Sequence, residues 1–291
     1  MSMRSRFYAL AAEALDDDER VAVVSAEIGV AELPRHPRHF NVGIREQLMI
    51  GVAAGLALEG MRPVAHSYTP FLVERPYEQV KLDFVHQGLG AVLVSTGASY
   101  DAARAGRTHQ APEDVAVMSA LPGWTIHVPG HADELERLFR RALRGDDAVY
   151  IRMSEEENAA RVDGDGIVIL RRGSPGAPLV LAVGPMLSET IAATADLDVA
   201  VAYTATPRPL DAEGLRAVAT RDVVLVEPYL AGTSAAEVAA ALVDRPTRIF
   251  SIGVPLGEFR HYGTPAEHRA AHGLDAAGVR ASVERFMYLR S

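Results

Sequence analysis

Short, continuously apolar runs alternate with longer segments of helical spacing along most of this chain. Residues 21–25 (VAVVS), 63–68, 91–95 (AVLVS), 125–128 and 149–152 are brief and rich in β-branched side chains. That is the pattern of strands buried on both faces of a parallel sheet. Between them, residues 7–15, 43–60, 77–87, 114–120 and 132–143 place apolar side chains at helical intervals. The first of these ends at the acidic run Asp16-Asp17-Asp18-Glu19, and residues 34–39 form a loop of Pro, His and Arg. The pattern lapses over 154–176, where three consecutive glutamates (Glu155 to Glu157), Asp-Gly repeats and a Gly/Pro cluster leave room for one short strand at 167–170. It then resumes, with strands at 179–183, 199–203, 223–227 and 247–253 and helices at 188–195, 211–220, 234–242 and 275–288. Strand–helix alternation on either side of a polar break predicts an α/β protein of two domains, residues 1–155 and 176–291, joined by a linker at 156–175.

The chain has 291 residues, 48% hydrophobic and 23% charged, enough to build sizeable cores. Its formal charge of -9 argues against a nucleic-acid partner. With no cysteine there is no disulfide, thiolate metal site or cysteine nucleophile. Lys81 is the single lysine beside 28 arginines, so Schiff-base chemistry has one candidate at most. No stretch reaches the ~20 apolar residues of a membrane span, and no export signal precedes the first helix, so a cytoplasmic protein without membrane contact is expected.

Three segments carry chemistry. In Asn41-Val-Gly-Ile-Arg-Glu46-Gln-Leu-Met-Ile-Gly, a glutamate lies among apolar residues of a helix, where it is costly unless paired. It either steadies the helix start, alone or with Arg45, or serves a site. In the run from Arg62 to Val80, Phe71 and Tyr77 offer aromatic faces close to Arg75 and Gln79, unless the rings are simply core. In Gly106-Arg-Thr-His-Gln-Ala-Pro-Glu-Asp114, His109 lies in a loop, with a side chain that titrates near neutrality.

Together these segments resemble the GIREQ-type, aromatic and THQ-x-x-ED signatures of the thiamine-diphosphate enzymes of the transketolase family. The resemblance implies a pyrimidine-binding domain with a mostly parallel sheet flanked by helices, then a smaller α/β C-terminal domain. It implies that Glu46 bonds the aminopyrimidine of thiamine diphosphate and sets its tautomer. Phe71 would stack on that ring, with Tyr77 and Arg75 as neighbours. His109 would serve substrate oxygens, and Arg152 and Arg107 would lie on the substrate side, Arg152 matching an acceptor-phosphate ligand. Catalysis would fall to Glu46 and His109. The family's Asp before the Gly is Ala105 here, its Pro is Arg107, and its upstream His falls near Gly97, which puts ordinary pentose phosphates in doubt. Asp163-Gly-Asp-Gly166 imitates the family's metal-diphosphate motif, but no Asn follows Asn158, so a turn or loop is expected there.

The resemblance covers the last two of three family domains. The absent one holds Mg²⁺ and the diphosphate, so no metal site is expected on this chain. The implied protein is one subunit of a split enzyme, active with a diphosphate-binding partner resembling a transketolase N-terminal section, as an α2β2 heterotetramer. The implied activity is transfer of a two-carbon ketol unit from a ketose donor to an aldose or other acceptor. Two alternatives stay open. One is an E1β-like subunit of a 2-oxo acid dehydrogenase, or a hybrid handing a two-carbon acyl unit to a lipoyl or acyl-carrier-protein thiol. The other is a non-catalytic regulatory subunit.

Overall fold

The computed structural model describes residues 1–289. The first half runs α1 (Met3–Asp17), β1 (Val21–Ser25), β2 (His39–Asn41), α2 (Glu46–Leu58), β3 (Arg62–Tyr68), α3 (Tyr77–Gln79), β4 (Val92–Thr96), α4 (Asp114–Ser119), β5 (Trp124–His127), α5 (Ala132–Arg144) and β6 (Ala148–Arg152). Six strands form one wholly parallel sheet in the order β2-β1-β3-β4-β6-β5. The second half runs β7 (Val168–Arg171), β8 (Leu179–Val183), α6 (Leu187–Ala193), β9 (Ala200–Thr204), α7 (Ala212–Val218), β10 (Asp222–Leu230), α8 (Ala235–Ala241), β11 (Arg248–Val254), α9 (Pro265–Ala271) and α10 (Ala276–Tyr288). Its sheet, β11-β10-β8-β9-β7, is parallel except for β7, which runs antiparallel to β9 at the edge.

Alternate residues of each strand enter opposite cores, which is why the strands are apolar throughout. Val24, Leu93 and Ile126 face α2 residues Met49, Ile50 and Ala53 and the rings of Phe84 and Trp124. Val23, Val64, Val92 and Val94 face Phe7 and Leu15 of α1 and Leu135 and Phe139 of α5. Phe7 and Phe139 meet edge to face at 5.5 Å.

Four elements depart from the sequence pattern. β2 is three residues with one apolar side chain, too short to register as a period. α2 starts at Glu46, not at residue 43, because Gly43 has φ 71° and Arg45 is extended at φ -147°. The helix expected at 77–87 starts earlier and is irregular: two π-helical stretches, Pro70–Glu74 and Val80–His86, flank the single turn α3. Pro76 sits between them and has no N–H to continue an α-helical ladder. α9 was not expected at all. The Asp163–Gly166 stretch is a loop, with Asp165 paired to Arg137 and Arg141.

A buried carboxylate ties the two halves together, and a half-buried one steadies two helix starts of the first half. Glu134 on α5 accepts from the Tyr203 hydroxyl on β9 and from the amides of Gly130 and Val162. Glu157 accepts from the amides of Met3 (2.6 Å) and Ala132 (3.1 Å), the first residues of α1 and α5. No described helix is long and apolar enough to cross a membrane.

Truncating Phe139 to Ala should cost about 3–5 kcal/mol, because α1 and α5 are pinned to the sheet through this ring. The urea midpoint of the chain measures it, and a loss under about 1 kcal/mol would contradict the packing described.

Candidate active site

In a doubly covered parallel sheet, side chains for chemistry gather at the carboxyl ends of the strands. Here that rim is built by the end of β3, the loop after β4, the start of α2 and, since α1 runs back against β1, the start of α1. Glu46 is the first residue of α2 and is 2% exposed. A carboxylate there is favoured by the helix dipole and by the free amides of the first turn. Its Oε2 accepts from Arg75 Nη1 at 2.8 Å, while Oε1 has no partner among the described residues. Arg75 is steadied from two sides. Its guanidinium carbon lies 4.1 Å from the centre of the Phe71 ring, and its carbonyl accepts from the Gln47 side chain at 3.2 Å.

Phe71 leads on to His109. The two rings meet edge to face at 4.9 Å, and Tyr68 meets His109 at 5.5 Å and Phe71 at 6.2 Å. The His109 Nδ1 bonds the Thr108 hydroxyl at 2.9 Å, leaving Nε2 without a partner among the described residues. Glu46, Arg75, Phe71 and His109 are thus brought together as one continuous surface, half-buried at the rings.

Tyr68, which the sequence motifs do not mark, is a second aromatic face beside Phe71 and His109. The position expected for that role, Tyr77, instead packs half-buried against the core that includes α2. The signal was available: Tyr68 ends a strand and stands three residues ahead of Phe71, one helical turn away. Its ring fits because residue 97 is Gly. A Cβ there would lie 2.6 Å from Tyr68 Cδ1, and φ at Gly97 is 71°.

Behind Tyr68 runs a chain of buried hydrogen bonds. Val94 carbonyl oxygen can only accept, so His66 Nδ1 donates to it at 2.8 Å and Nε2 must be an acceptor. The Tyr8 hydroxyl donates to Nε2 at 3.1 Å and itself accepts from Arg4 Nε at 3.1 Å. Burial drops the His66 pKa to about 4, so the ring is neutral and its tautomer fixed. Tyr8 and His66 are both buried, and no sequence signal marks them.

The two arginines expected on the substrate side have partners within the chain. Arg152 is 1% exposed. Its Nε donates to Asp114 at 2.8 Å and its Nη2 to the Ser99 hydroxyl, which in turn donates to the Pro228 carbonyl on the second half. Asp114 also accepts from the Tyr150 hydroxyl at 2.6 Å. This is a buried ion pair that closes the loop onto the sheet. Arg107 donates to the Gln110 carbonyl (2.6 Å) and to Glu113 (2.8 Å), and lies 3.4 Å from Glu258 of the second half. It staples the loop after β4. Tyr262 closes over the same loop, since a Cβ on Gly106 would lie 2.6 Å from its ring.

Residues 1–159 match the family described as transketolase, pyrimidine binding domain. The chain is 49% identical over 286 residues to an uncharacterized 33.6 kDa protein in the fasciation locus of Rhodococcoides fascians, covering 94% of this chain and 91% of that one. It is 33% identical over 267 residues to the 1-deoxy-D-xylulose-5-phosphate synthase of Paraburkholderia xenovorans, covering 86% of this chain but 42% of the enzyme. A 6-deoxy-6-sulfo-D-fructose transketolase subunit of a Clostridium species is 32% identical over 208 residues, covering 67% of this chain and 64% of the subunit. The chain therefore spans less than two thirds of either of these two relatives. Among solved structures, a split gene transketolase described as an inactive β4 tetramer superposes with a TM-score of 0.85 at 24% identity, covering 100% of both chains. The Campylobacter jejuni transketolase superposes with a TM-score of 0.80 at 16% identity, over 98% of this chain and 46% of that one.

Two outcomes follow from the site. Arg152→Met should destabilise the chain by about 3–5 kcal/mol, since it strands Asp114 as an unpaired buried charge; equilibrium denaturation measures this, and a neutral result would contradict the ion pair. In histidine-ring nitrogen NMR, His66 should stay neutral with the proton on Nδ1 from about pH 8 down to about pH 5, where an exposed histidine would be mostly charged. Half-titration near the ordinary value would contradict the buried relay.

Proposed function

The chain belongs to the transketolase family, by its pyrimidine-binding domain, and from that premise we propose that it is one subunit of a split thiamine-diphosphate enzyme that transfers a two-carbon ketol unit from a ketose to an aldose acceptor. In this reading residues 1–155 form the pyrimidine-binding unit, 176–291 the C-terminal unit, and 156–175 the join. The observation that carries it is the buried Glu46 carboxylate, held by Arg75 on one oxygen and free on the other, at the edge of the half-open Phe71 ring.

These residues fit the aminopyrimidine half of the cofactor. The Phe71 face suits a flat heteroaromatic ring, and the uncommitted Glu46 oxygen suits a ring nitrogen with which a proton is shared. The residues do not supply the other half: among the described residues no group of three His, Asp or Glu side chains is placed to hold a metal ion. In this reading a partner subunit would hold Mg²⁺ and the diphosphate. When bound, thiamine diphosphate supplies the electron sink for cleaving a bond next to a carbonyl. This chain's residues orient and protonate. Glu46 holds a proton at the pyrimidine nitrogen, and Arg75 fixes the carboxylate's rotamer. His109 Nε2 exchanges protons with substrate oxygens, and Phe71 and Tyr68 keep water from the reacting atoms.

The partner has a surface to meet. Ile44 (72% exposed), Leu48, Leu58 and Leu82 leave an apolar strip on and beside α2, next to Glu46. Two comparisons support this reading: one relative is named as a transketolase subunit, and a split gene transketolase of similar fold is described as an inactive β4 tetramer. A two-fold α2β2 assembly would cover both strips and complete two sites.

The test is the assembled enzyme. Glu46→Gln should lower ketol transfer by about 10²–10³-fold while sedimentation shows the same assembly. Calorimetric titration should detect thiamine diphosphate with Mg²⁺ binding only after the diphosphate-binding partner is added. Full activity in Glu46→Gln, or tight cofactor binding by the isolated chain, would overturn the reading.

A further inference from the structure

The loop between β4 and α4 carries His109, yet its tip is ordered mainly by itself. From Ala102 to Gln110 the backbone hydrogen bonds stay within the loop, in two short 3₁₀ turns, Ala103–Ala105 and Arg107–His109. The His109 ring bonds the adjacent Thr108, and Arg104, Ala105, Arg107 and Thr108 are exposed. Such a segment opens locally at little cost unless something outside it holds it. The second half does so at two points. At the loop's base, the end of β10 takes hold: the Leu230 N–H donates to the Pro112 carbonyl at 2.8 Å, and the Pro228 carbonyl accepts from the Ser99 hydroxyl. At the tip, the strap of residues 255–264 between β11 and α9 lies across Gly106 and Arg107. The Tyr262 ring is so close to Gly106 that a Cβ there would stand 2.6 Å from its Cε1, and Glu258 lies 3.4 Å from Arg107 Nε. The strap is itself anchored. Its Phe259 ring meets His268 and His272 of α9 at 4.9 and 4.8 Å and lines a small cavity with Ser99, Tyr100 and Gln110 of the loop.

We propose that the second half takes part in the reaction through this strap, with Tyr262 as a positioning residue: its ring holds the turn at Gly106 and thereby sets where the His109 imidazole stands against Phe71 and Tyr68. The proposal rests on the proton-exchange role given to His109 in the ketol-transfer reading above. Two features carry it. Gly106 and Arg107 lie three and two residues ahead of His109 in one continuous pair of turns, so a shift at Gly106 is passed on to the imidazole. Tyr262 is also 69% exposed, so its ring adds little to the core, yet it is pressed against a backbone turn that has φ 73° and no side chain of its own. A ring so placed contributes location more than burial. Location is what proton exchange needs, since a displacement of about 1 Å can cost up to about 100-fold in rate.

The kinetic experiment uses the assembled enzyme with thiamine diphosphate and Mg²⁺, hydroxypyruvate as ketol donor and glycolaldehyde as acceptor. Tyr262→Ala should lower kcat by about 10-fold and leave both KM values within about twofold. Tyr262→Phe keeps the ring and should stay within about twofold of the native kcat. Leu256→Ala, on the same strap and 85% exposed, should change nothing. The imidazole NMR spectrum of the chain alone gives a readout independent of turnover. Loss of the Tyr262 ring should move the His109 signals, because their ring-current shifts depend on where the imidazole stands against Phe71 and Tyr68. The signals of buried His66 should stay in place, which shows that the sheet is intact. A native kcat in Tyr262→Ala, a Tyr262→Phe enzyme as slow as Tyr262→Ala, the same loss in Leu256→Ala, unmoved His109 signals, or equal movement at His66 would each overturn the proposal. If the native assembly transfers no ketol unit, the ketol-transfer reading fails by itself, and the His109 spectrum alone decides whether the strap positions this ring.

Discussion

A sheet whose strands all run one way, with helices packed on both faces, has only its two ends available for chemistry. Here the dependence is strong, because Val23 and Val24, or Leu93 and Val94, are buried to opposite sides with no solvent-facing position between them. The side chains of the candidate site lie at the rim. Glu46 reaches that rim as the first residue of α2, Tyr68 as the last of β3, and Arg4 at the start of α1. The chemistry is distributed over elements far apart in sequence because the sheet places their ends side by side.

The rim also explains which charges can act. A buried ion pair such as Arg152 with Asp114 is part of the framework: bonds to Ser99 and Tyr150 offset part of its desolvation, and opening it to a ligand would leave Asp114 without its cation. Arg75 and Arg4 are instead partly exposed at the rim. Both are clamped by aromatic faces, Phe71 for one and Tyr8 with Tyr68 for the other. An aromatic clamp orders a guanidinium without neutralising it.

Much of this was legible in the residues themselves. The strands at 21–25 and 179–183 coincide with β1 and β8, since continuous β-branched runs have one good home in a parallel sheet. Glu46, Arg75, Phe71 and His109 stand out because each is a polar or aromatic residue where the pattern asks for something plainer. What was not legible depended on distance. That Arg152 is spent on Asp114, 38 residues away, leaves no trace in local spacing. Nor does the exchange of Tyr77 for Tyr68, which turns on how Pro76 breaks the helical register. α9 was a different failure: Thr264-Pro265 with Glu267 is a capping box in plain view, passed over because the helix is seven residues long.

Gly97 and Tyr68 lie 29 positions apart, yet they compete for one volume: any side chain at 97 occupies space that the ring now fills. In evolutionary terms they behave as a single locus. A lineage that puts a side chain at 97 must give up or move the ring, and with it the aromatic face beside His109. Divergence in substrate along this fold would then proceed by paired exchange at these two positions, leaving Glu46 and Phe71 untouched.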